Sequence, residues 1–127
     1  MKNWRISVFL LMFAGVILIA CDKYDSKIIG KVNYIDVNDN RNYPAAGAII
    51  TKMAVDGDSL RSVASVVANE NGEFLFDHTT KGSWKLSGKI EKDTILYWGL
   101  SEQFSTNGSN QIEQIILLEP VPKDTSE

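Results

Sequence analysis

The feature that most limits the fold of this chain is the alternation of apolar and polar residues in short segments after residue 27. Seven such segments are separated by clusters of Gly, Asn, Asp and Pro, the residues that favour turns. They cover residues 28–34, 48–55, 62–68, 73–77, 83–90, 94–98 and 111–118. No segment after Cys21 shows helical periodicity over three turns. This pattern predicts an all-β fold, a seven-stranded antiparallel β-sandwich of Greek-key type.

A different pattern occupies the N-terminus, where residues 6–20 contain no charged residue and follow the basic Lys2 and Arg5. As a helix this run would be roughly 22 Å long, which is shorter than the roughly 30 Å hydrocarbon core of a membrane. It therefore fits the apolar helix of a secretory signal peptide better than a membrane-spanning segment. The alternative is an uncleaved N-terminal anchor.

Cys21, the only cysteine, follows this apolar run directly, and residues 18–21 read Leu-Ile-Ala-Cys. This segment resembles the cleavage motif of bacterial lipoprotein signal peptides, from which the bulky Ile19 departs. The resemblance implies that residues 1–20 are removed and that Cys21 is lipidated on its sulfur and its freed amine. Several acyl chains hold a protein firmly in a membrane, whereas one chain alone gives only marginal binding. Residues 21–27 would then form a lipidated tether.

The charge of the chain narrows the range of partners. Because Lys2 and Arg5 belong to the leader, 11 of the 13 basic residues remain against 16 acidic ones, and the formal net charge changes from −3 to −5. An acidic domain without a basic stripe argues against nucleic acid as a partner. If Cys21 carries lipid, no cysteine is left for a disulfide or a metal cluster, and we expect no metal and no cofactor.

Four short motifs follow one another along residues 28–118. They are Ile28-x-Gly30-x-Val32, Pro44-x-x-Gly47-Ala48, Asn71-Gly72-Glu73-Phe74-x-Phe76 and Gly82-x-Trp84-x-Leu86. Together they resemble the carboxypeptidase regulatory-like domain, a transthyretin-like (prealbumin-like) sandwich, although Ala45 and Trp84 replace the usual Leu and Tyr. The resemblance implies that residues 28–119 form this domain and that residues 120–127 are a flexible tail. In that family the motif residues serve the fold and carry no catalysis.

A lipoprotein signal followed by such a sandwich resembles the small lipoproteins of Bacteroidetes-type bacteria. Those proteins often accompany outer-membrane nutrient-uptake systems, so the resemblance implies an outer-membrane location. The leaflet, periplasmic or surface, stays open. Asp22 directly follows the cysteine, and acidic residues there resemble both a surface-export signal and an inner-membrane retention signal.

Candidate catalytic and metal-binding residues are few. His78 is the lone histidine, and both general acid–base catalysis and metal binding need partners that converge on it. With no free cysteine either, no nucleophile, base and orienting group can be assembled, so we expect no enzyme and no catalytic residue. Residues 36–42 space their side-chain oxygens as calcium loops do. Arg41, however, stands where such loops need Gly, and Gly47 where they need Glu, so we expect a polar loop.

Tyr97 and Trp98 are adjacent in one predicted strand, so their side chains point to opposite faces of the sheet. We expect one of them in the core and the other on the surface, and both are candidate ligand contacts. Together with Tyr34 or Tyr43, the exposed ring could form a platform on which a sugar stacks.

These observations favour a non-enzymatic, lipid-anchored module of the bacterial envelope that binds or supports another envelope protein. Exposed sheet edges or loops are the expected means of contact. The alternative is a carbohydrate-binding module of an outer-membrane nutrient-uptake system that uses Tyr97 or Trp98. The expected partners are thus the membrane, through the lipid on Cys21, and an envelope protein or a glycan.

Overall fold

The computed structural model describes residues 25–122, and every regular element in this range is a β-strand. The strands are β1 (Ser26–Ile35), β2 (Asn42–Pro44), β3 (Ile49–Asp56), β4 (Ser59–Val67), β5 (Glu73–Thr79), β6 (Gly82–Lys92), β7 (Ile95–Leu100), β8 (Phe104–Thr106) and β9 (Gln111–Pro120). Nothing in this part of the chain is a helix long and apolar enough to span a membrane. The predicted signal helix, the lipidated Cys21 and the end of the predicted tail lie outside the described residues.

The strands form two layers that pack face to face. One layer has the order β5–β1–β9, with β2 beside the C-terminal end of β1. The other has the order β4–β3–β6–β7, with β8 beside the N-terminal end of β6. β9 also pairs with β7, through Tyr97↔Pro120 and Trp98↔Glu119, so the two layers join along one side. The predicted all-β sandwich is confirmed.

Apolar side chains from both layers fill the space between them. Because every second residue of a strand points to the same face, the alternation seen in the sequence places these side chains together. The largest fully buried apolar residues are Ile28 and Val32 on β1, Ile50 on β3, Leu86 on β6, and Ile116 and Leu118 on β9. Full burial of such a side chain stabilises the fold by about 1.5–3 kcal/mol.

All seven predicted strands are present, with ends within three residues of those expected. β2 and β8, of three residues each, are additional, so the sandwich has nine strands. The prediction of a purely antiparallel arrangement is corrected, because β1 and β9 pair in parallel from Lys27↔Gln111 to Tyr34↔Leu118. Alternation indicates which face of a strand is buried, but tertiary packing decides which strands become neighbours.

Two glycines allow β1 to approach its neighbours closely. Gly72, in the turn before β5, has φ 75°, and a Cβ there would lie 2.5 Å from the carbonyl oxygen of Val32. A Cβ on Gly30, within β1, would lie 2.1 Å from the carbonyl oxygen of Gln114 on β9. Any side chain at either position would therefore displace backbone.

Candidate functional site

Tyr97 and Trp98 point to opposite faces of β7, as expected. Tyr97 is 2% exposed, and the backbone N–H of Val37 donates to its hydroxyl oxygen at 3.3 Å. Trp98 is 46% exposed. Tyr97 therefore belongs to the interior of the domain, which rules it out as a surface ligand contact. Trp98 remains the candidate contact.

Neither Tyr34 nor Tyr43 joins Trp98. The ring of Tyr34 is buried and lies 5.0 Å from that of Tyr97, and the ring of the exposed Tyr43 lies 5.9 Å from that of Tyr34. All three rings are thus on the Tyr97 side of the sheet, opposite the face that carries Trp98. The predicted platform of Trp98 with Tyr34 or Tyr43 is not formed.

Trp98 lies instead in a cross-strand row on the outer face of the β4–β3–β6–β7 layer. The register places it between Lys89 on β6 and Glu119 on β9. Lys89 in turn lies opposite Ile49, which lies opposite Val67. Side chains directly opposite each other have Cβ atoms about 4.5–5.5 Å apart. The indole is therefore flanked by one ammonium group and one carboxylate.

Trp98 also belongs to a group of five exposed apolar side chains on the neighbouring strands β7 and β9. Their exposed fractions range from 41% to 76%, and Ile115 has the largest. We refer to this group as the outer stripe: Leu96, Trp98 and Leu100 on β7, with Ile115 and Leu117 on β9. Monomeric proteins rarely expose contiguous apolar patches of large size unless something binds there.

The strand register explains why the outer stripe is continuous. Residues i and i+2 share one face of a strand, so Leu100 lies beside Trp98, and Leu117 lies beside Glu119. β7 and β9 pair at Tyr97↔Pro120 and Trp98↔Glu119, and continuing this antiparallel register brings Leu100 near Leu117. A Cβ on the intervening Gly99 would lie 2.2 Å from the carbonyl oxygen of Leu117, so the two strands are close at this point.

A groove of about 450 Å³ opens on the outer face of the β5–β1–β9 layer and reaches Ile115 of the outer stripe. Its lining residues are Ile29, Gly30, Lys31, Glu73, Phe74, Glu113, Gln114 and Ile115. The register places Glu73, Lys31 and Ile115 in one cross-strand row, and Glu113 lies opposite Ile29. The groove thus combines an apolar lining with two carboxylates and one ammonium group.

β4 is the free edge of the wider layer. It pairs with β3, and no other strand in residues 25–122 pairs with its outer side. Eight of its residues are exposed, including Leu60, Val63 and Val67, and Arg61 is its one charged residue. A free strand edge can be extended by the strand of a partner, so β4 is a second candidate contact.

A buried cation lies at one end of the sandwich. Lys52 is 4% exposed, and its Nζ donates to the carbonyl oxygen of His78 at 3.1 Å and to Oγ1 of Thr79 at 3.0 Å. The rings of Phe76 and Trp84 lie 5.3 Å and 5.1 Å from the ammonium nitrogen. Burial lowers the pKa of Lys52 from its ordinary value. These contacts give Lys52 a structural role in joining β3 to the end of β5.

His78 lies at the same end on the surface. Its Nδ1 is 3.0 Å from Oδ2 of Asp25, and its Nε2 is 4.0 Å from Oδ2 of Asp77. Within the described part of the chain, no three His, Cys, Asp or Glu side chains are grouped so that they could hold a metal ion. The contact between Asp25 and His78 links the residue before β1 to β5.

The polar loop between β1 and β2 is closed by its own side chains. Oδ1 of Asp36 accepts the N–H of Asn38 at 2.7 Å, and Oδ1 of Asp39 accepts the N–H of Arg41 at 3.0 Å. The hydroxyl of Tyr43 donates to the other carboxylate oxygen of Asp39, which raises the pKa of Tyr43. Both carboxylates thus accept hydrogen bonds from within the loop and its flanking strand.

No family model and no curated protein sequence matches the chain. Among solved structures, it is similar to a Pseudomonas aeruginosa protein that has been proposed to bind carbohydrate, with a TM-score of 0.53 and 12% identity over 76% of this chain and 90% of that one. It is also similar to a minor pilin of Streptococcus agalactiae, with a TM-score of 0.51 and 10% identity over 79% of this chain and 46% of that one. At these identities the similarities show a shared β-sandwich fold.

Trp98 is the part of the outer stripe that the sequence analysis identified. The other four members are aliphatic, and an aliphatic residue in a predicted strand does not by itself indicate a surface position. Their sequence does carry a signal, because residues 95–98 and 115–118 are apolar at consecutive positions. A strand with one buried face needs apolar residues at alternate positions only, so the remaining apolar residues indicate an apolar outer face.

Proposed function

We propose that this chain is a non-enzymatic binding module of the bacterial envelope, held at the outer membrane by lipid on Cys21. In this proposal the outer stripe contacts another envelope protein. The observation that carries the proposal is the continuity of five exposed apolar side chains across β7 and β9. Trp98 suits the centre of such a contact, because tryptophan is among the residues that contribute most to protein interfaces.

The size of the outer stripe sets the expected strength of binding. Full burial of a large apolar side chain is worth about 1.5–3 kcal/mol, so burying the exposed half of each would contribute about 1 kcal/mol. Five such side chains give about 5 kcal/mol before the loss of translational and rotational freedom is subtracted. That amount supports a transient contact, or a stable one only if neighbouring surface also takes part. A lipid anchor favours such weak contacts because it confines the module near other envelope proteins.

Charged residues border the outer stripe as they border many protein interfaces. Lys89 and Glu119 flank Trp98, and Glu113 lies beyond Ile115 on β9. A polar rim around an apolar centre is the usual composition of a non-obligate interface. Opposite charges on the partner would then fix the orientation of the contact.

Site-specific crosslinking in intact envelopes tests this proposal. A photoreactive residue replaces Ile115 in the full chain, expressed in its native host, and the same residue replaces Val63 on the β4 edge or Lys85 on β6 as matched positions. We expect one protein adduct from position 115, its loss when Trp98→Ala is added, and no adduct from position 85. Adducts from position 63 alone would show that the β4 edge, rather than the outer stripe, is the contact.

A second candidate function is glycan binding, and the placement of Trp98 between Lys89 and Glu119 favours it. A sugar stacked on the indole would have its hydroxyl groups close to both charged side chains. Titration of the protein with a glycan panel, followed by tryptophan fluorescence, tests this candidate. Binding that is lost in Trp98→Ala and kept in Ile115→Ala would favour a glycan. A protein contact across the outer stripe requires both side chains.

A further inference from the structure

We propose that the groove between β5, β1 and β9 receives a basic side chain, an arginine or a lysine, from a protein that binds this domain. That the partner is a protein rests on the proposed function. The preference of the groove for a basic group rests on the groove alone. The volume of about 450 Å³ lies within the range of about 300–1,000 Å³ typical of small-ligand pockets.

The apolar lining suits the stem of a long side chain. Ile29 and Ile115 contribute apolar side-chain surface, and Gly30 contributes bare backbone between them. Ile115 is 76% exposed, so an aliphatic stem lying across it would cover apolar surface that water now contacts. Lysine and arginine both carry apolar stems that bury readily while the charged group stays at the rim.

The charges at the rim decide which group the stem should carry. Glu73 and Glu113 contribute two carboxylates against the single ammonium of Lys31. Glu73 already has a partner, because its Oε1 accepts a hydrogen bond from Nδ2 of Asn69 at 3.1 Å, and Lys31 lies directly opposite it on the neighbouring strand. Glu113 lies opposite Ile29 instead. Within residues 25–122 its side chain has no hydrogen bond or ion pair, so it is the carboxylate left for a partner.

These features together match a cation on an aliphatic stem. A neutral apolar side chain would leave Glu113 beside an occupied groove without a partner, and an acidic side chain would meet two like charges. Arginine fits best because its planar guanidinium can donate two parallel hydrogen bonds to one carboxylate. The groove also shares Ile115 with the outer stripe, so one partner can contact both surfaces.

The test uses the full chain in detergent micelles and a small probe, N-acetyl-arginine methylamide. Methyl and backbone NMR signals are followed during titration, with the citrulline analogue as the neutral probe of the same shape. We expect the largest shifts at Ile29, Gly30 and Ile115, with a dissociation constant in the millimolar range. We expect the citrulline analogue to bind at least about threefold more weakly, the ratio that an exposed ion pair supports.

Matched variants complete the test. Glu113→Gln should reduce arginine binding to the level of citrulline, whereas Glu91→Gln, at an exposed glutamate on β6, should leave it unchanged. Equal binding of the two probes, shifts confined to other regions, or no shifts with tens of millimolar probe would each overturn the proposal. Arginine binding to the groove without a protein adduct from position 115 would support the preference of the groove for a basic group and refute the proposed protein partner. A protein adduct from position 115 without a preference for arginine would support the protein partner and refute the preference for a basic group.

Discussion

Substituting three glycines by alanine will separate two ways in which this fold depends on them. Gly57, in the hairpin between β3 and β4, has φ 62°, and a Cβ there would have no neighbour within 4 Å. Gly30 has no positive φ, but a Cβ would lie 2.1 Å from the carbonyl oxygen of Gln114 and 2.7 Å from Cζ of Phe74. Gly72 combines φ 75° with a contact of 2.5 Å to a carbonyl oxygen.

The expected losses of stability follow from these contacts. Gly57→Ala places alanine in the left-handed region, which costs about 1–2 kcal/mol, and about 0.4–1 kcal/mol is recovered because the unfolded chain is less flexible. The net loss is therefore between about 0 and about 1.6 kcal/mol. Gly30→Ala forces β1 and β9 apart and weakens several backbone hydrogen bonds worth about 1 kcal/mol each, so its loss is about 3 kcal/mol. Gly72→Ala carries both penalties, so its loss is the largest of the three, about 4 kcal/mol.

Urea denaturation of the purified protein, followed by circular dichroism, measures all three losses. If the dependence on urea concentration keeps its slope, a shift of the midpoint reports a change in stability alone. Thermal unfolding gives a second measure of the same losses. For a domain of 60–100 residues, a loss of 1 kcal/mol lowers Tm by about 4–8 °C, so Gly30→Ala should lower Tm by about 12 °C or more. A loss for Gly57→Ala as large as that for Gly30→Ala would refute the reasoning, because backbone strain, rather than the close approach of β1 and β9, would then dominate.

Three further predictions concern single side chains. Because burial lowers the pKa of Lys52 from its usual value of 10.5, the unfolded chain binds more protons between the two values. The free energy of unfolding should therefore increase as pH rises from the lowered pKa toward 10.5. Lys52→Met should lose this increase, and urea titrations of both proteins across that pH range measure the difference. Trp98→Ala should change the free energy of unfolding by less than about 1 kcal/mol, whereas Trp84→Ala should cost about 3–5 kcal/mol in the same assay. A large loss for Trp98→Ala would mean that the ring serves the fold and not a contact. Val63→Lys should leave stability within about 0.5 kcal/mol and reduce self-association at high concentration, measured by light scattering, because a charge on an edge strand opposes pairing. Unchanged light scattering would mean that β4 is not a site of self-association.

The strands could be predicted from the sequence because alternation is a local property. Phe74 and Phe76, two residues apart, share a buried face, and Asn71-Gly72 forms the turn that precedes them. The separation of Tyr97 from Trp98 followed from the same period of two. Which of them is inside could not be predicted, because residues 95–98 are apolar at every position and both faces look alike.

The pairing of strands could not be predicted, because it depends on contacts between distant parts of the chain. The parallel pair of β1 and β9 joins residues about 84 positions apart, such as Lys27 and Gln111. Loop-closure entropy and the packing of both layers decide such a pairing, and neither can be recognised in the sequence of a short segment. The groove at Gly30 and the continuity of the outer stripe both depend on the neighbours of β9, so neither was accessible to sequence reasoning.

β9 has a special place in this fold because it pairs with both layers. Its first eight residues pair with β1, and its last two pair with β7. Ile115 therefore belongs to the groove on one side and to the outer stripe on the other. Binding residues are positioned most accurately when they stand on a rigid element, and β9, which is paired with β1 and then with β7 along its whole length, is such an element. This explains how an apolar residue as exposed as Ile115 can sit at the meeting point of two candidate contact surfaces without depending on any loop.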